Sequence, residues 1–270
     1  MYFLLILCIL LFFLIIYIAF LQLKSKSKDN FDQVKTVDIV VARYNESLDW
    51  LYTDFSTYIN NPKVKTTIFI YNKGGDIIAN SITNTNTNII NLPNVGREAH
   101  THLYHIINNY DNLADVTIFL TGSANMDHKI GNTSIIIQKS YQDLDSTFVC
   151  QKTDLQSLYN FSIDEWKSSN NLNAGKNMGD ELQPCDPRPF GKWYEQIFNE
   201  SNTPISALCY YGIFSVSNNN IHNRPLSFYE NLIKYVDSHH NTEAGHYFER
   251  AWIAIFHPIE INRLFLTYST

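Results

Sequence analysis

Five groups of polar residues in this chain carry atoms able to do chemistry, and four of them follow apolar runs. Arg43, Asn45 and Glu46 come after Val40-Val41-Ala42, and Asn72 and Lys73 after Phe69-Ile70-Tyr71. Asn94, Gly96 and Arg97 come after Leu92-Pro93, and Thr121-Gly122-Ser123 after Ile118-Phe119-Leu120. Lysine and arginine offer positive charge to a phosphate, and asparagine offers an amide to a hydroxyl. A helix opening at Gly96 would add N–H groups and a dipole that favour an anion. The fifth group is Glu249-Arg250, set among Tyr247, Phe248, Trp252 and Phe256. Desolvation by such rings would raise a carboxyl pKa toward the range of a general base.

The elements that must position these groups are legible in part. Val37 to Ala42, Thr66 to Tyr71 and Val116 to Leu120 are β-branched or aromatic runs that read as buried parallel strands, with a short strand at Asn88 to Leu92. Leu48, Leu51, Phe55 and Ile59 have helical spacing, as do Leu103, Ile106 and Ile107 in a helix running from Gly96 to about Tyr110. Strands alternating with helices imply an α/β fold with a mostly parallel sheet flanked by helices on both faces. Ligands of such sheets sit beyond the carboxyl ends of the strands, which is where the polar groups fall. The second half is less regular. Phe148 to Gln151 reads as a strand, and the three prolines from Pro184 to Pro189 force extended or turning chain. Ala207 to Ser217 reads as one strand with a close approach at Gly212, and Leu226–Val236 and Glu243–Phe256 as amphipathic helices.

Residues 2–21 contain no charge, glycine or proline, and 20 helical residues are enough to span a bilayer core of about 30 Å. No basic segment precedes the run and no small-residue cleavage pattern follows, so an uncleaved anchor over residues 2–22 is expected, with the lipid bilayer as a partner. Residues 23–35 read as a polar stalk and 36–270 as a single domain. Lys24, Lys26 and Lys28 follow the span, which by the positive-inside rule keeps the domain cytoplasmic. A net charge of −6 without a basic stripe excludes a nucleic-acid partner. Cys150, Cys185 and Cys209 fit either one disulfide with one thiol in an oxidising compartment or three thiols in a reducing one. Sequons at Asn132, Asn160 and Asn199 matter only on the oxidising side.

Taken in order, Val41-Ala42-Arg43-Tyr44-Asn45-Glu46, Tyr71-Asn72-Lys73-Gly74, Asn94-Val95-Gly96-Arg97-Glu98, Arg188-Pro189-Phe190-Gly191-Lys192-Trp193-Tyr194 and Glu249-Arg250-Ala251-Trp252 resemble an uncharacterised domain-of-unknown-function family of fungi and large DNA viruses. More distantly, the series is similar to nucleotide-sugar glycosyltransferases of the GT-A fold. That resemblance implies a GT-A-like α/β domain in which Arg43, Asn45, Glu46, Asn72, Lys73, Asn94, Gly96 and Arg97 bind a nucleotide-sugar. It also implies that Glu249, with Arg250 beside it, takes the proton of an acceptor glycan or protein hydroxyl, and that Gly212 to Ser217 is the acceptor-side strand. The chain departs from the pattern at Thr121-Gly122-Ser123, where an Asp-x-Asp would hold Mg²⁺ or Mn²⁺. Either Arg43, Lys73 and Arg97 replace the metal, or Asp127 and His128 ligate it, or transfer is lost. The resemblance also places the domain in a lumen, against the charge rule.

Plainer roles stand beside these. Asn45 and Glu46 fit helix caps, Lys73-Gly74-Gly75 a turn, and Glu249-Arg250 a surface ion pair. His100, His102 and His105 fit packed or solvated residues better than a metal site, since only two of them share a helical face. Trp193-Tyr194 and Tyr210-Tyr211 could stack on sugar faces. The leading expectation is a membrane-anchored glycosyltransferase-like protein. The alternatives are a non-catalytic glycan- or protein-binding module and a structural membrane protein.

Overall fold

The structure, a computed structural model, describes residues 14–18, 34–75, 86–144, 148–156, 158–163, 182–199, 205–259 and 264–268. The chain divides into two compact units, Met1–Lys35 and Thr36–Thr270. Of the apolar run, only residues 14–18 are described, and they are helical. The rest of the expected anchor and nearly all of the stalk lie outside the described residues. Among the described residues, no helix is long and apolar enough to cross a membrane.

The larger unit is a mixed eight-stranded sheet in the order β3-β2-β1-β4-β7-β5-β6, with β8 paired to β5. The first half of the chain supplies β1 (Lys35–Arg43), α1 (Asp49–Asp54), α2 (Ser56–Ile59), β2 (Val64–Asn72), β3 (Thr87–Asn91), α3 (Arg97–Asn109), β4 (Val116–Thr121) and α4 (Asp127–Gln142). The second half supplies β5 (Phe148–Gln156), α5 (Phe190–Phe198), β6 (Ile205–Leu208), β7 (Phe214–Ser217), α6 (Asn218–Ile221), α7 (Leu226–Ile233), α8 (Glu243–Ile255) and β8 (Leu264–Tyr268). β1 pairs with β4, β2 with β3 and β5 with β8 in parallel, whereas β7 runs antiparallel to β4 and β5, and β6 antiparallel to β5. The parallel character expected from the sequence thus holds in the N-terminal half, and antiparallel ladders build much of the remainder.

Alternation along the strands divides the core between two faces. Val40, Tyr71, Phe119 and Phe214 pack against α3, α5, α7 and α8. Ile39, Val41, Ile70, Ile118 and Leu120 pack against α1, α2 and α4. Helices therefore cover both faces, as the alternation of elements requires. Three expected elements differ. Helical spacing from Leu48 to Ile59 is split at Phe55, whose φ of −113° leaves the helical region, although all four apolar positions are buried. The single strand expected from Ala207 to Ser217 is two strands separated by a 3₁₀ turn, Tyr210–Gly212, where Tyr211 and Gly212 have φ of 60° and 65°. The 16-residue helix α4 is unannounced, because Gly131, Asn132 and Thr133 break its apolar stripe. Cys150 and Cys209 form a disulfide between β5 and the residue after β6, and Cys185 is a buried free thiol.

Candidate functional site

Strand register brings the polar groups together. Ala42 is paired with Thr121 across β1 and β4, and Gly122 N–H donates to Ala42 O at 2.7 Å. Lys73 N–H donates to Arg43 O at 2.8 Å, and Leu92 N–H to Asn72 O at 2.9 Å. The ends of β3, β2, β1 and β4 are stitched side by side, so groups up to 80 residues apart share one edge. Over that edge lies a cleft of about 240 Å³. Arg43, Lys73, Arg97 and Lys129 bring it positive charge, and Glu46, Glu98 and Glu249 bring it carboxylates. Tyr44, Asn94, Ser123 and Tyr211 also line it.

Each charged side chain is held in place. The buried Arg43 guanidinium donates through Nε to Glu46 O at 2.8 Å, and through Nη1 to Tyr44 O at 3.1 Å and Asn72 Oδ1 at 2.6 Å. Asn72 also donates to Gly74 O and Asn91 Oδ1, both at 3.2 Å. Asn72 therefore orients Arg43 and does not itself line the cleft. Neither Asn45 nor Glu46 caps the next helix, whose N-cap is Leu48 without a side-chain bond. Instead, Glu46 Oε2 accepts from Tyr44 N–H at 2.7 Å and lies across Gly122, where a Cβ would come within 2.6 Å of it. Glu46 thus fills the space that any side chain at Gly122 would need.

Lys73 Nζ donates to Val95 O at 2.6 Å and also to Arg97 O. Burial pulls its pKa down to about 7, against the opposing pull of Glu98. These two bonds tie the end of β2 to the start of α3. Gly96, with φ of 61°, is wedged where a Cβ would meet Val236 O at 1.9 Å, and its N–H donates to His239 O at 2.8 Å. The expected anion contact at Gly96 N–H is thus replaced by a bond within the fold. Arg97 pairs with Glu98 at 3.9 Å. Lys129 Nζ donates to Ser123 Oγ at 2.7 Å, and burial lowers its pKa against the charges of Glu98 and Glu46.

Glu249 opens on the cleft, but its environment is the reverse of the one expected. Burial raises its pKa, yet the hydrogen bond and charge of His246, with the charges of Arg250 and Arg97, outweigh burial and hold it below the ordinary carboxylate value. Oε1 accepts from Tyr211 N–H at 2.9 Å, while Oε2 lies 3.3 Å from Arg250 Nη1 and 3.6 Å from His246 Nδ1. Arg250 does not line the cleft. It donates to His246 O at 2.6 Å, and its guanidinium lies 3.7 Å from the Phe161 ring centroid.

The candidate metal ligands do not assemble. Asp127 and His128 are exposed in the first turn of α4, and the His128 ring packs edge-on to Tyr211 at 5.3 Å. Among the described residues, no group of three or more His, Cys, Asp or Glu side chains could hold a metal ion. His100, His102 and His105 are packed: burial lowers their pKa values to about 4, 3 and 3. His102 Nε2 meets Gly212 O at 2.8 Å, and His105 Nδ1 meets the Tyr71 hydroxyl at 2.9 Å. Trp193 and Tyr194 are core residues, whereas Tyr211 is exposed at the rim of the cleft.

The structure therefore brings Arg43, Glu46, Lys73, Asn94, Arg97 and Glu249 to one cleft, leaves Asn72, Gly96 and Arg250 as its supports, and leaves Asn45 exposed and outside the cleft lining. Sequence reasoning missed Glu98 as a cleft carboxylate, although it stands in a quoted motif, and missed Lys129, which no strand-end signal marks. No curated protein matches the chain. The family described as "Protein of unknown function (DUF3431)" matches residues 39–263, and the chain belongs to that family.

Proposed function

We propose that this is a membrane-anchored, glycosyltransferase-like protein whose cleft binds the diphosphate of a nucleotide-sugar without a metal ion. One observation carries the reading: Arg43, Lys73, Arg97 and Lys129 converge at the carboxyl ends of β1, β2 and β4, where an α/β sheet takes its ligands. The distant GT-A resemblance supports it. Mn²⁺ or Mg²⁺ does not fit, because Glu46, Glu98 and Glu249 are each turned to an N–H or cationic partner of the protein itself. Charge on the leaving diphosphate would be offset instead by Arg43, Arg97 and Lys129, joined by Lys73 in its protonated form. In the reaction an acceptor oxygen forms a bond to the anomeric carbon as the bond to the diphosphate breaks. The acceptor's proton passes to a cleft carboxylate, and the nucleoside diphosphate departs with the bonding pair.

The engagement of Glu249 by Tyr211, His246 and Arg250 favours a second reading, a binding module that holds the same ligand without turnover. Thermal shift of the detergent-solubilised protein against nucleotide-sugars, with and without Mn²⁺, tests the first claim, since binding to the native state raises its melting temperature. Stabilisation independent of Mn²⁺ is expected, and Lys73→Ala should remove most of it. Absence of any shift would reject the site. Release of free nucleoside diphosphate in the presence of acceptors separates enzyme from module.

The apolar run at residues 2–21 supports the anchor, and the Cys150–Cys209 disulfide favours the oxidising side of the membrane over the side given by the charge rule. Full-length protein should resist carbonate extraction. Glycans are expected at Asn160 and Asn199, which are exposed, and glycosidase insensitivity would return the domain to the reducing side.

A further inference from the structure

Tyr211 is held in a conformation that its side chain disfavours. Its φ of 60° lies in the left-handed region, and the residue stays there because its neighbours leave no alternative. Before it, Cys209 is tied by the disulfide to β5, and its N–H donates to Glu249 O at 2.9 Å. After it, Gly212 O meets His102 Nε2 at 2.8 Å, and a Cβ on Gly212 would come within 2.5 Å of Glu98 Cγ. At the residue itself, the N–H donates to Glu249 Oε1 at 2.9 Å. The outcome of these constraints is a tyrosine ring at the rim of the cleft, 37% exposed, with Lys129 Nζ 4.7 Å from its centroid. Lys129 Nζ thus covers one face of the ring and His128 packs against it at 5.3 Å, so the part of the ring left exposed to a ligand stands beside a cation that faces the same cleft. That pairing matches a ligand that carries a base or sugar ring together with phosphate.

We propose that Tyr211 is the platform on which a base or sugar ring of the diphosphate ligand lies, and that Glu249 is the positioning residue that holds this platform. The inference rests on the reading of the cleft as a diphosphate site. It assigns Glu249 a role through Tyr211 N–H in place of proton transfer. Strain at a ligand clamp is retained where it serves binding, so removing it should stabilise the fold and weaken the ligand at once.

The test is calorimetric titration of the full-length protein with pyrophosphate, UDP, GDP, UDP-glucose and GDP-mannose. Tyr211→Gly, which suits the left-handed backbone, should raise the melting temperature by about 2–4 °C. The same variant should weaken the ring-bearing ligands about tenfold and leave pyrophosphate unchanged. Tyr211→Phe keeps the ring and should bind as wild type. Glu249→Leu should show the ligand selectivity of Tyr211→Gly, and Glu249→Gln, whose amide oxygen still accepts the Tyr211 N–H, should restore it. A loss shared by UDP and GDP identifies the stacked ring as the nucleobase, and a loss confined to the conjugates identifies the sugar. If Tyr211→Gly weakens pyrophosphate and conjugates equally, or weakens neither, the platform is refuted while the diphosphate site stands. If no probe binds at all, the diphosphate reading falls and the platform with it.

Discussion

Replacing Gly122 by alanine tests whether Glu46 occupies the space beside the end of β4. A Cβ there would lie 2.6 Å from Glu46 Oε2, 2.9 Å from Glu46 Cδ and 3.3 Å from Arg43 Cα. The backbone of Gly122 is bonded on both sides, N–H to Ala42 O at 2.7 Å and O from Trp50 Nε1 at 3.2 Å, so the side chain of Glu46 must yield first. Moving it breaks the 2.7 Å bond from Tyr44 N–H. A hydrogen bond to a charged group is worth about 1.5–3 kcal/mol when buried, and this one is partly solvated, so about 1–2 kcal/mol is at stake. Alanine returns about 0.4–1 kcal/mol by restricting the unfolded chain. The net loss is about 1 kcal/mol, which for a domain of this size lowers the melting temperature by about 2–4 °C. In a Glu46→Ala background the obstruction is gone, and the same substitution should be neutral or stabilising. Thermal melts of the two single variants and the double variant give the coupling energy, expected at about 1–2 kcal/mol. Equal effects of Gly122→Ala in both backgrounds would refute the reasoning.

Burial raises the Asp38 carboxyl from 3.8 to about 7, so the folded state keeps a proton that the unfolded chain has lost, and stability falls as pH rises across that window. At about 1.4 kcal/mol per pKa unit the penalty approaches at most about 4 kcal/mol above pH 7, and Asp38→Asn should escape it. Urea unfolding of both proteins from pH 4 to 8 should show the variant gaining with pH, and a flat difference would count against a buried, protonated Asp38. Glu249 is shifted the other way, so its stabilisation is complete above the unfolded value of 4.5 and is lost as pH falls through its lower folded value. Glu249→Gln should cost about 2–4 kcal/mol at pH 7, because it leaves Arg250 buried with a weakened partner, and the difference from wild type should shrink in melts below pH 4.5. The Cys150–Cys209 bridge closes a span of 59 residues, for which chain entropy gives roughly 4 kcal/mol. Reductant should lower the melting temperature accordingly, and an unchanged melt in excess dithiothreitol would mean that the bridge does not constrain the chain.

The strands of the N-terminal half were legible because a buried parallel strand is a continuous apolar run, and the runs ending at Ala42, Tyr71 and Leu120 are of that kind. Given the α/β class, the placement of Arg43 and Lys73 beyond strand ends, and of Arg97 at the start of the next helix, followed from their order along the chain. Helices α3, α7 and α8 announced themselves by apolar spacing, whereas α4 did not, since only Thr133, Ile136, Ile137, Ser140 and Tyr141 of its residues are buried and its stripe is interrupted at Gly131. The packed state of His100, His102 and His105 was the plainer of two readings, and the core of α3 settles it.

Protonation and partnership were decided only by the tertiary structure. Whether the rings around Glu249 raise its pKa or whether His246, Arg250 and Arg97 lower it depends on distances of a few ångströms, which spacing along a helix does not specify. The same holds for Lys129 and Glu98, which reach the cleft because the register of β1 against β4 and the bonds from Lys73 to Val95 and Arg97 draw α3 and α4 to one edge. Tyr211 is the furthest from sequence. Its left-handed backbone is a property of the contacts around it, from a disulfide that spans 59 residues, a histidine bonded across 110 and a glutamate bonded across 38. Local sequence sets what each segment prefers; only the packed whole can hold one residue against its preference.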